Sequence, residues 1–317
     1  LSALNQTLLP YQRTNQYFNA YYADWIEMYK NGAVRPITYQ KYLMTLRRLV
    51  ELAPSLRMGE LDRRRYQALI NDYASTHEKQ TTKDFNNHLK SAILDAVEDG
   101  LLALDPTRKV IIKGKAPAAK KPKYLSQFEL QILLSNLVLP DEPNWDWLIL
   151  LVAKTGLRFS EALALCPCDF DFAQRKIKIT RTWDYKNAAG CFAETKNSSS
   201  KRSVLIDPQL SRQFSKLTKR MPADEPIFVS GRVFNSTVNN RLKALCTKAC
   251  VPVITVHCLR HTHASLLIYA GVSISSIAMR LGHSSATTTQ ETYLHIIKEL
   301  EDQDNEKIIK HLSKLIY

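Results

Sequence analysis

The sequence predicts a mainly α-helical protein with a small antiparallel β-sheet, built as a helical bundle followed by an α+β domain. Three observations carry this. Aromatic and apolar residues recur at helical spacing from Tyr17 to about Gly100. A stretch rich in Pro and Lys then interrupts the pattern. Beyond it, helical stretches resume and enclose two runs of strand character, 176–183 and 202–206. At 317 residues the chain is long enough for two domains with cores of their own.

Residues 1–15 are polar and aperiodic and read as a lead-in. The bundle domain spans 16–104. Its first helix carries Phe18, Tyr21, Tyr22, Trp25, Ile26 and Tyr29, and Asn31-Gly32 stops it. The second follows Pro36, with Tyr39, Tyr42, Leu43, Leu46, Leu49 and Val50 on its apolar side, and Pro54 ends it. Residues 58–75 and 81–98 read as the third and fourth helices, the last closing at Asp99-Gly100. The aromatic stripe is expected to be core packing rather than a base-stacking platform. Residues 105–124 read as a flexible basic linker, in which Pro106, Pro117 and Pro122 alternate with Lys113, Lys115, Lys120, Lys121 and Lys123. In the second domain, 125–295, Ser126 is placed to cap a helix running to Leu137. Residues 146–154 are apolar enough for a buried helix, broken at Gly156, with Arg158 just beyond and Glu161 one turn on. Further helices are expected near 208–220, 236–250, 257–270 and 273–281. Residues 296–317 form a charged amphipathic tail.

Lys+Arg 44 against Asp+Glu 30 gives a net charge of +14, which favours a polyanionic partner. The excess is shared between the halves: residues 1–123 carry 20 basic and 12 acidic residues, the remainder 24 and 18. Both prospective domains can therefore contact a nucleic acid, and the linker lysines are candidate phosphate contacts. The 6 cysteines lack paired metal-ligand spacing and read as free thiols in a reducing cytosol. The apolar stretch at 147–153 is far shorter than the roughly 18 residues that a membrane span needs, so no membrane partner is expected.

The chemistry concentrates between His257 and Tyr293. His257 and Arg260 stand at i and i+3, one face of a helix. Leu281-Gly282-His283, the run Thr287-Thr288-Thr289 and Tyr293 follow. A guanidinium and imidazoles can hold a phosphate and move protons near neutral pH, and a tyrosine hydroxyl beside them can be a nucleophile. No carboxylate cluster accompanies them, so neither a metal nor another cofactor is expected.

These motifs resemble the C-terminal signature of the tyrosine recombinases, the lambda-type phage integrase family. Upstream, Thr155-Gly156-Leu157-Arg158-Phe159-Ser160-Glu161 resembles the family's first arginine motif. Glu194-Thr195-Lys196-Asn197 with Ser200-Lys201-Arg202 resembles its lysine-bearing β-hairpin turn. The wording from Leu259 to Ser265 is most like integrases of Gram-positive phages and conjugative transposons.

The resemblance implies a core-binding bundle joined to a tyrosine-recombinase catalytic domain, and a reaction in which Tyr293 attacks a DNA phosphodiester and retains a 3′-phosphotyrosyl bond. Arg158 and Arg260 would grip the non-bridging oxygens, and His283 would donate to the same phosphate. His257 would assist proton transfer at the tyrosine. Lys196 is the candidate to protonate the leaving 5′-oxygen, although Lys186 and Lys201 lie on the same prospective hairpin. His261, His263 and Tyr269 are expected to pack around the site. The resemblance further implies double-stranded DNA with core attachment sites as partner, a homo-tetramer on DNA, a tail docking on a neighbouring subunit, and an excisionase and a host DNA-bending factor as helpers. It places the protein in the cytoplasm of a bacterial host. Phage and conjugative-element members usually carry an arm-binding domain ahead of the bundle, so either this member lacks it, as simpler members do, or the chain is truncated, which the motif wording favours. A type IB topoisomerase-like enzyme and a non-catalytic DNA-binding regulator are the rival readings.

Overall fold

The computed structural model describes residues 15–116, 124–187, 189–195, 197–293 and 312–313. The chain divides into two compact units, Leu1–Lys120 and Lys121–Tyr317.

The first unit holds α1 (Phe18–Tyr29), α2 (Pro36–Leu52), α3 (Arg63–Thr76) and α4 (Lys79–Glu98). Phe18, Tyr22, Trp25 and Ile26 of α1 meet Leu49, Tyr66, Ile70, Phe85, Leu89 and Ile93 in one core. The aromatic stripe of α1 is thus core. Two polar tips in this core find partners: Trp25 Nε1 donates to Asp95 Oδ2 at 2.6 Å, and the Tyr66 hydroxyl donates to Asn86 Oδ1 at 3.0 Å.

Two departures from expectation have local causes. The helix expected over 58–75 is broken: Met58–Glu60 is a short 3-10 turn, and α3 starts after it. Asp62 accepts the Arg65 N–H at 2.7 Å, so its carboxylate caps a new helix instead of riding inside an old one. The basic segment expected as a flexible linker is fastened to this unit over 105–116. Gln67 accepts the Ile111 N–H and donates to the Ile111 carbonyl, both at 2.9 Å, as a neighbouring strand would. The Lys115 N–H donates to the His77 carbonyl at 2.8 Å, and Val110 and Ile112 pack on the core. Lys113 and Lys115 remain exposed, while Lys120, Lys121 and Lys123 lie outside the described residues.

The second unit opens with α5 (Gln127–Ser135), α6 (Trp145–Thr155) and α7 (Phe159–Leu163). Ser126 caps α5 as expected, reciprocally with Glu129: each backbone N–H donates to the other's side chain, at 3.2 and 2.7 Å. The strands are β1 (Phe170–Asp171), β2 (Lys176–Ile179), β3 (Arg181–Trp183), β4 (Phe192–Glu194) and β5 (Arg202–Leu205). They form two antiparallel sheets, β1-β2-β5 and β3-β4. The single strand expected over 176–183 is therefore two, because its halves have different partners: Ile177 pairs Val204, whereas Trp183 pairs Phe192. Then come α8 (Pro208–Thr218), α9 (Asn235–Lys248), α10 (Val256–Tyr269) and α11 (Ile274–Leu281), and residues 286–293 are helical. The apolar helix α6 is buried from Trp147 to Ala153 and packs along α10. That pairing brings the end of α6 to the residues singled out on α10. The tail, apart from 312–313, lies outside the described residues.

Gln67→Ala should release the 105–116 segment. Trypsin is then expected to cut at Lys113 and Lys115 several-fold faster, with the helical circular dichroism unchanged. An unchanged cleavage rate would show that Val110 and Ile112 alone hold the segment.

Candidate active site

Helices α6 and α11 end alike, at Gly156 and Gly282, each in the left-handed conformation with φ 69°. The last carbonyls of a helix lack partners, and that end of the helix dipole is negative. Guanidiniums occupy both ends. Arg260 of α10 donates from Nη1 to the Gly156 carbonyl and from Nη2 to the Leu281 carbonyl, both at 2.7 Å. Arg158, at the start of α7, donates from Nη2 to the Gly282 carbonyl at 2.9 Å. Gly156 is required twice, by its positive φ and because a Cβ there would stand 2.7 Å from His263 Cδ2.

Glu161 ties these pieces together. Its carboxylate is 1 % exposed. Oε1 accepts from Arg158 Nη1 at 2.6 Å and Oε2 from the Arg158 backbone N–H at 3.0 Å. Arg202 of β5 grips the same carboxylate with Nη1 and Nη2 at 3.2 and 2.9 Å, and its Nε donates to the Arg280 carbonyl at 2.6 Å. Burial raises the Glu161 pKa, but Arg202 and Arg158 outweigh it and hold the carboxyl below the ordinary 4.5. Arg260 is 3 % exposed, and burial with the nearby Arg158 pushes its guanidinium down to about 9, still charged at neutral pH. Arg158, Arg202 and Arg260 against one carboxylate leave a local surplus of positive charge, a site for an anion. The sequence reading gave Arg202 no role, and its place in β5 is a helpful signal only after β5 is known to border α11.

Tyr293 ends the helical stretch 286–293 and is 2 % exposed, packed with Ala264, Ile268, Ile277 and Leu281. Burial pushes its hydroxyl up to about 12, with Arg260 pulling the other way. His257 was expected at this hydroxyl; in the structure His261 stands there, Nδ1 2.9 Å from the Tyr293 oxygen. The reason is helical register: His261 lies one turn further along α10, on the side that faces Tyr293. His257 packs edge-on against His261, ring centroids 4.9 Å apart at 90°. Desolvation, then Arg260 and Arg158, lowers the His257 pKa.

His283 follows Gly282 directly. Its backbone N–H donates to the Ala278 carbonyl at 3.0 Å, and its Nδ1 lies 2.6 Å from Thr289 Oγ1. Burial, then Arg260 and Arg158, pushes its pKa down to about 4, so it is neutral at pH 7. His263 supports the site from behind: Nδ1 bonds the Ala153 carbonyl at 3.0 Å, and Nε2 accepts from Arg280 Nε at 2.8 Å. Burial and Arg280 push it down to about 3. Tyr269, at the end of α10, is exposed. Lys196 lies outside the described residues, whereas Lys186 and Lys201 are exposed. The described residues thus bring Arg158, Arg260 and His283 round the ends of α6 and α11, with Tyr293 and two imidazoles of α10 alongside. Such a site can stabilise charge on a phosphate and present a hydroxyl to it.

Glu161→Gln should destabilise the protein by about 3 kcal/mol at pH 7, read as a lower urea midpoint, because it leaves two guanidiniums without their buried counter-charge. A carboxyl with a depressed folded pKa stabilises above its unfolded value and loses that contribution as pH falls through the folded pKa. The gap between wild type and Glu161→Gln should therefore narrow below pH 4.5. A constant gap would contradict the assignment.

The pattern of the phage integrase family matches residues 123–299. The integrase of Staphylococcus phage L54a is 27% identical over 335 aligned positions, covering 95% of this chain and 93% of that protein. The ICEBs1 integrase of Bacillus subtilis is 27% identical, over 70% of this chain and 65% of its own length. Among solved structures, the Tn1549 transposon integrase in complex with a circular intermediate DNA superposes with TM-score 0.71 at 18% identity, covering 87% of this chain and 94% of that one. A lambda integrase dimer bound to a core site gives 0.66 at 15%, covering 92% and 81%. These superpositions agree with a mainly helical fold bearing small antiparallel sheets. With 177 consecutive residues inside the family pattern, the chain belongs to the phage integrase family of tyrosine recombinases.

Proposed function

We propose that this chain is the site-specific recombinase of a mobile element, cutting and rejoining duplex DNA through Tyr293 for integration and excision. The observation that carries the reading is the convergence of Arg158, Arg260 and His283 beside a buried tyrosine hydroxyl. Attack by that oxygen on a phosphodiester forms the Tyr–O–P bond, breaks the P–O5′ bond and places two negative charges on the non-bridging oxygens. Each arginine has five N–H donors, so both can keep their carbonyl contacts and still hold those oxygens. In the tautomer in which Thr289 Oγ1 donates to Nδ1, neutral His283 carries its proton on Nε2 and gives a further hydrogen bond. Lys196 is assigned the proton for the leaving 5′-oxygen on the resemblance of its hairpin motif alone. Energy stored in the phosphotyrosyl link is returned on rejoining, so the reading requires neither ATP nor a metal.

The first unit is read as the core-binding domain on duplex DNA, supported by the excess of 20 basic over 12 acidic residues in 1–123. Lys113 and Lys115 stand exposed beside it as phosphate contacts. The relatives solved on DNA support the same partner for this chain. Assembly as a tetramer in the cytoplasm of a bacterial host, with an excisionase and a DNA-bending factor, completes the reading; no described helix is long and apolar enough to cross a membrane.

The test uses a nicked duplex whose sequence is selected from a random pool by retention on the Tyr293→Phe variant. Cleavage lets the short strand leave and traps an SDS-resistant adduct. In EDTA, wild type should form the adduct on a peptide containing Tyr293. Tyr293→Phe should form none while binding the duplex within about twofold. An adduct at another residue, or none from wild type on bound DNA, would overturn the reading. Pairing of two duplexes separates recombinase from topoisomerase.

A further inference from the structure

We infer that Arg280, oriented by His263, is a positioning residue for strand cleavage: it fixes the spacing of the two helix ends that aim Arg260. The inference rests on the recombinase reading above, since it takes Arg260 to grip the scissile phosphate. Neither Arg280 nor His263 handles a phosphate oxygen or a proton in that chemistry.

Arg260 takes its direction from the carbonyls of Gly156 and Leu281, which belong to the ends of different helices. Its aim is therefore only as fixed as the spacing between the ends of α6 and α11. Arg280 spans that spacing from behind. It stands in the last turn of α11, next to Leu281. Its Nη2 donates to the Lys154 carbonyl of α6 at 3.2 Å, and its Nη1 to the Leu205 carbonyl of β5 at 3.0 Å. Its Nε donates to His263 Nε2 of α10 at 2.8 Å, and its own carbonyl accepts from Arg202 Nε at 2.6 Å. One residue thus joins α11 to α6, β5 and α10. A planar guanidinium has a nitrogen for each of these acceptors, whereas a lysine would bring a single nitrogen to them.

His263 sets the plane of that guanidinium, and its tautomer follows from its partners. The Ala153 carbonyl can only accept, so Nδ1, 3.0 Å away, carries the ring proton. Nε2 is then a bare acceptor, which is what the Arg280 Nε–H requires. A second proton on the ring would set donor against donor and cation against cation. The ring also fills the space beside Gly156, where a Cβ would stand 2.7 Å from its Cδ2. The last carbonyls of a helix have no helical N–H to meet. At the end of α6 those of Ala153, Lys154 and Gly156 receive His263, Arg280 and Arg260 in turn. The same helix end is therefore held by two layers, Arg260 toward the anion site and the His263–Arg280 pair behind it.

The experiment measures single-turnover cleavage of the selected nicked duplex at saturating protein, with duplex affinity and the urea midpoint in parallel. It compares wild type with Arg280→Met, His263→Leu, His263→Gln and Leu133→Ala. Absence of a wild-type adduct would overturn the recombinase reading, and this inference with it. With wild type active, Arg280→Met should bind the duplex within about twofold yet cleave on the order of 100-fold more slowly, the scale of loss when a reacting group is misplaced by about 1 Å. Leu133→Ala removes a fully buried side chain of α5, so it should lower the urea midpoint and leave the cleavage rate of the folded protein unchanged. His263→Gln, whose amide oxygen can stand in for Nε2, should cleave about tenfold faster than His263→Leu. Wild-type cleavage by folded Arg280→Met would overturn the proposal. So would a rate loss in Leu133→Ala as large as that in Arg280→Met, or equal rates for the two His263 variants. If Arg280→Met fails to fold, Arg280→Lys, which keeps the charge but not the fork, is judged by the same rate and affinity.

Discussion

Glu161 keeps a full negative charge where water hardly reaches, and the second unit is arranged around satisfying it. An isolated buried carboxylate would neutralise itself by taking up a proton. Here Arg158 and Arg202 reach it from α7 and β5, and Arg202 continues to the backbone of α11. One carboxylate therefore locks three elements whose sequence positions are far apart. It also offsets only part of the charge around it. With Arg260 added, the site carries more positive charge than it can balance internally, and an anion is what completes it.

The arginines are aimed by backbone rather than by other side chains alone. Left-handed glycines end α6 and α11 so abruptly that the final carbonyls point into a shared space. Those carbonyls would be unpaired if the guanidiniums were absent, so helix termination and arginine placement are one arrangement. Because the geometry exists before any ligand arrives, little reorganisation accompanies charge development.

The same cationic field acts in opposite directions on the histidines and the tyrosine. Burial first, and then this field, lowers the pKa of His257 and takes that of His283 to about 4, which favours neutral hydrogen-bonding imidazoles over competing cations. It favours the anionic form of Tyr293, although burial prevails while the protein is alone. The Tyr293 hydroxyl is thus both protonated at neutral pH and enclosed.

Sequence alone determined the fold class, the aromatic core of α1, the buried α6 and the residue types of the site, because these follow from apolar periodicity, turn residues and short motifs. It missed the division of 176–183 into β2 and β3, since β4 is three residues long and its pairing is a long-range choice. It overestimated the freedom of 105–116, because the Gln67 side chain that holds Ile111 sits 44 positions away. It singled out Arg158, Arg260, His283 and Tyr293, which the fold brings together, but expected His257 at the Tyr293 hydroxyl, where His261 stands. Which of two histidines one turn apart reaches a hydroxyl depends on the rotation of α10 against the helix carrying Tyr293. Packing of Ile268, Ile277 and Leu281 fixes that rotation, and no local pattern encodes it.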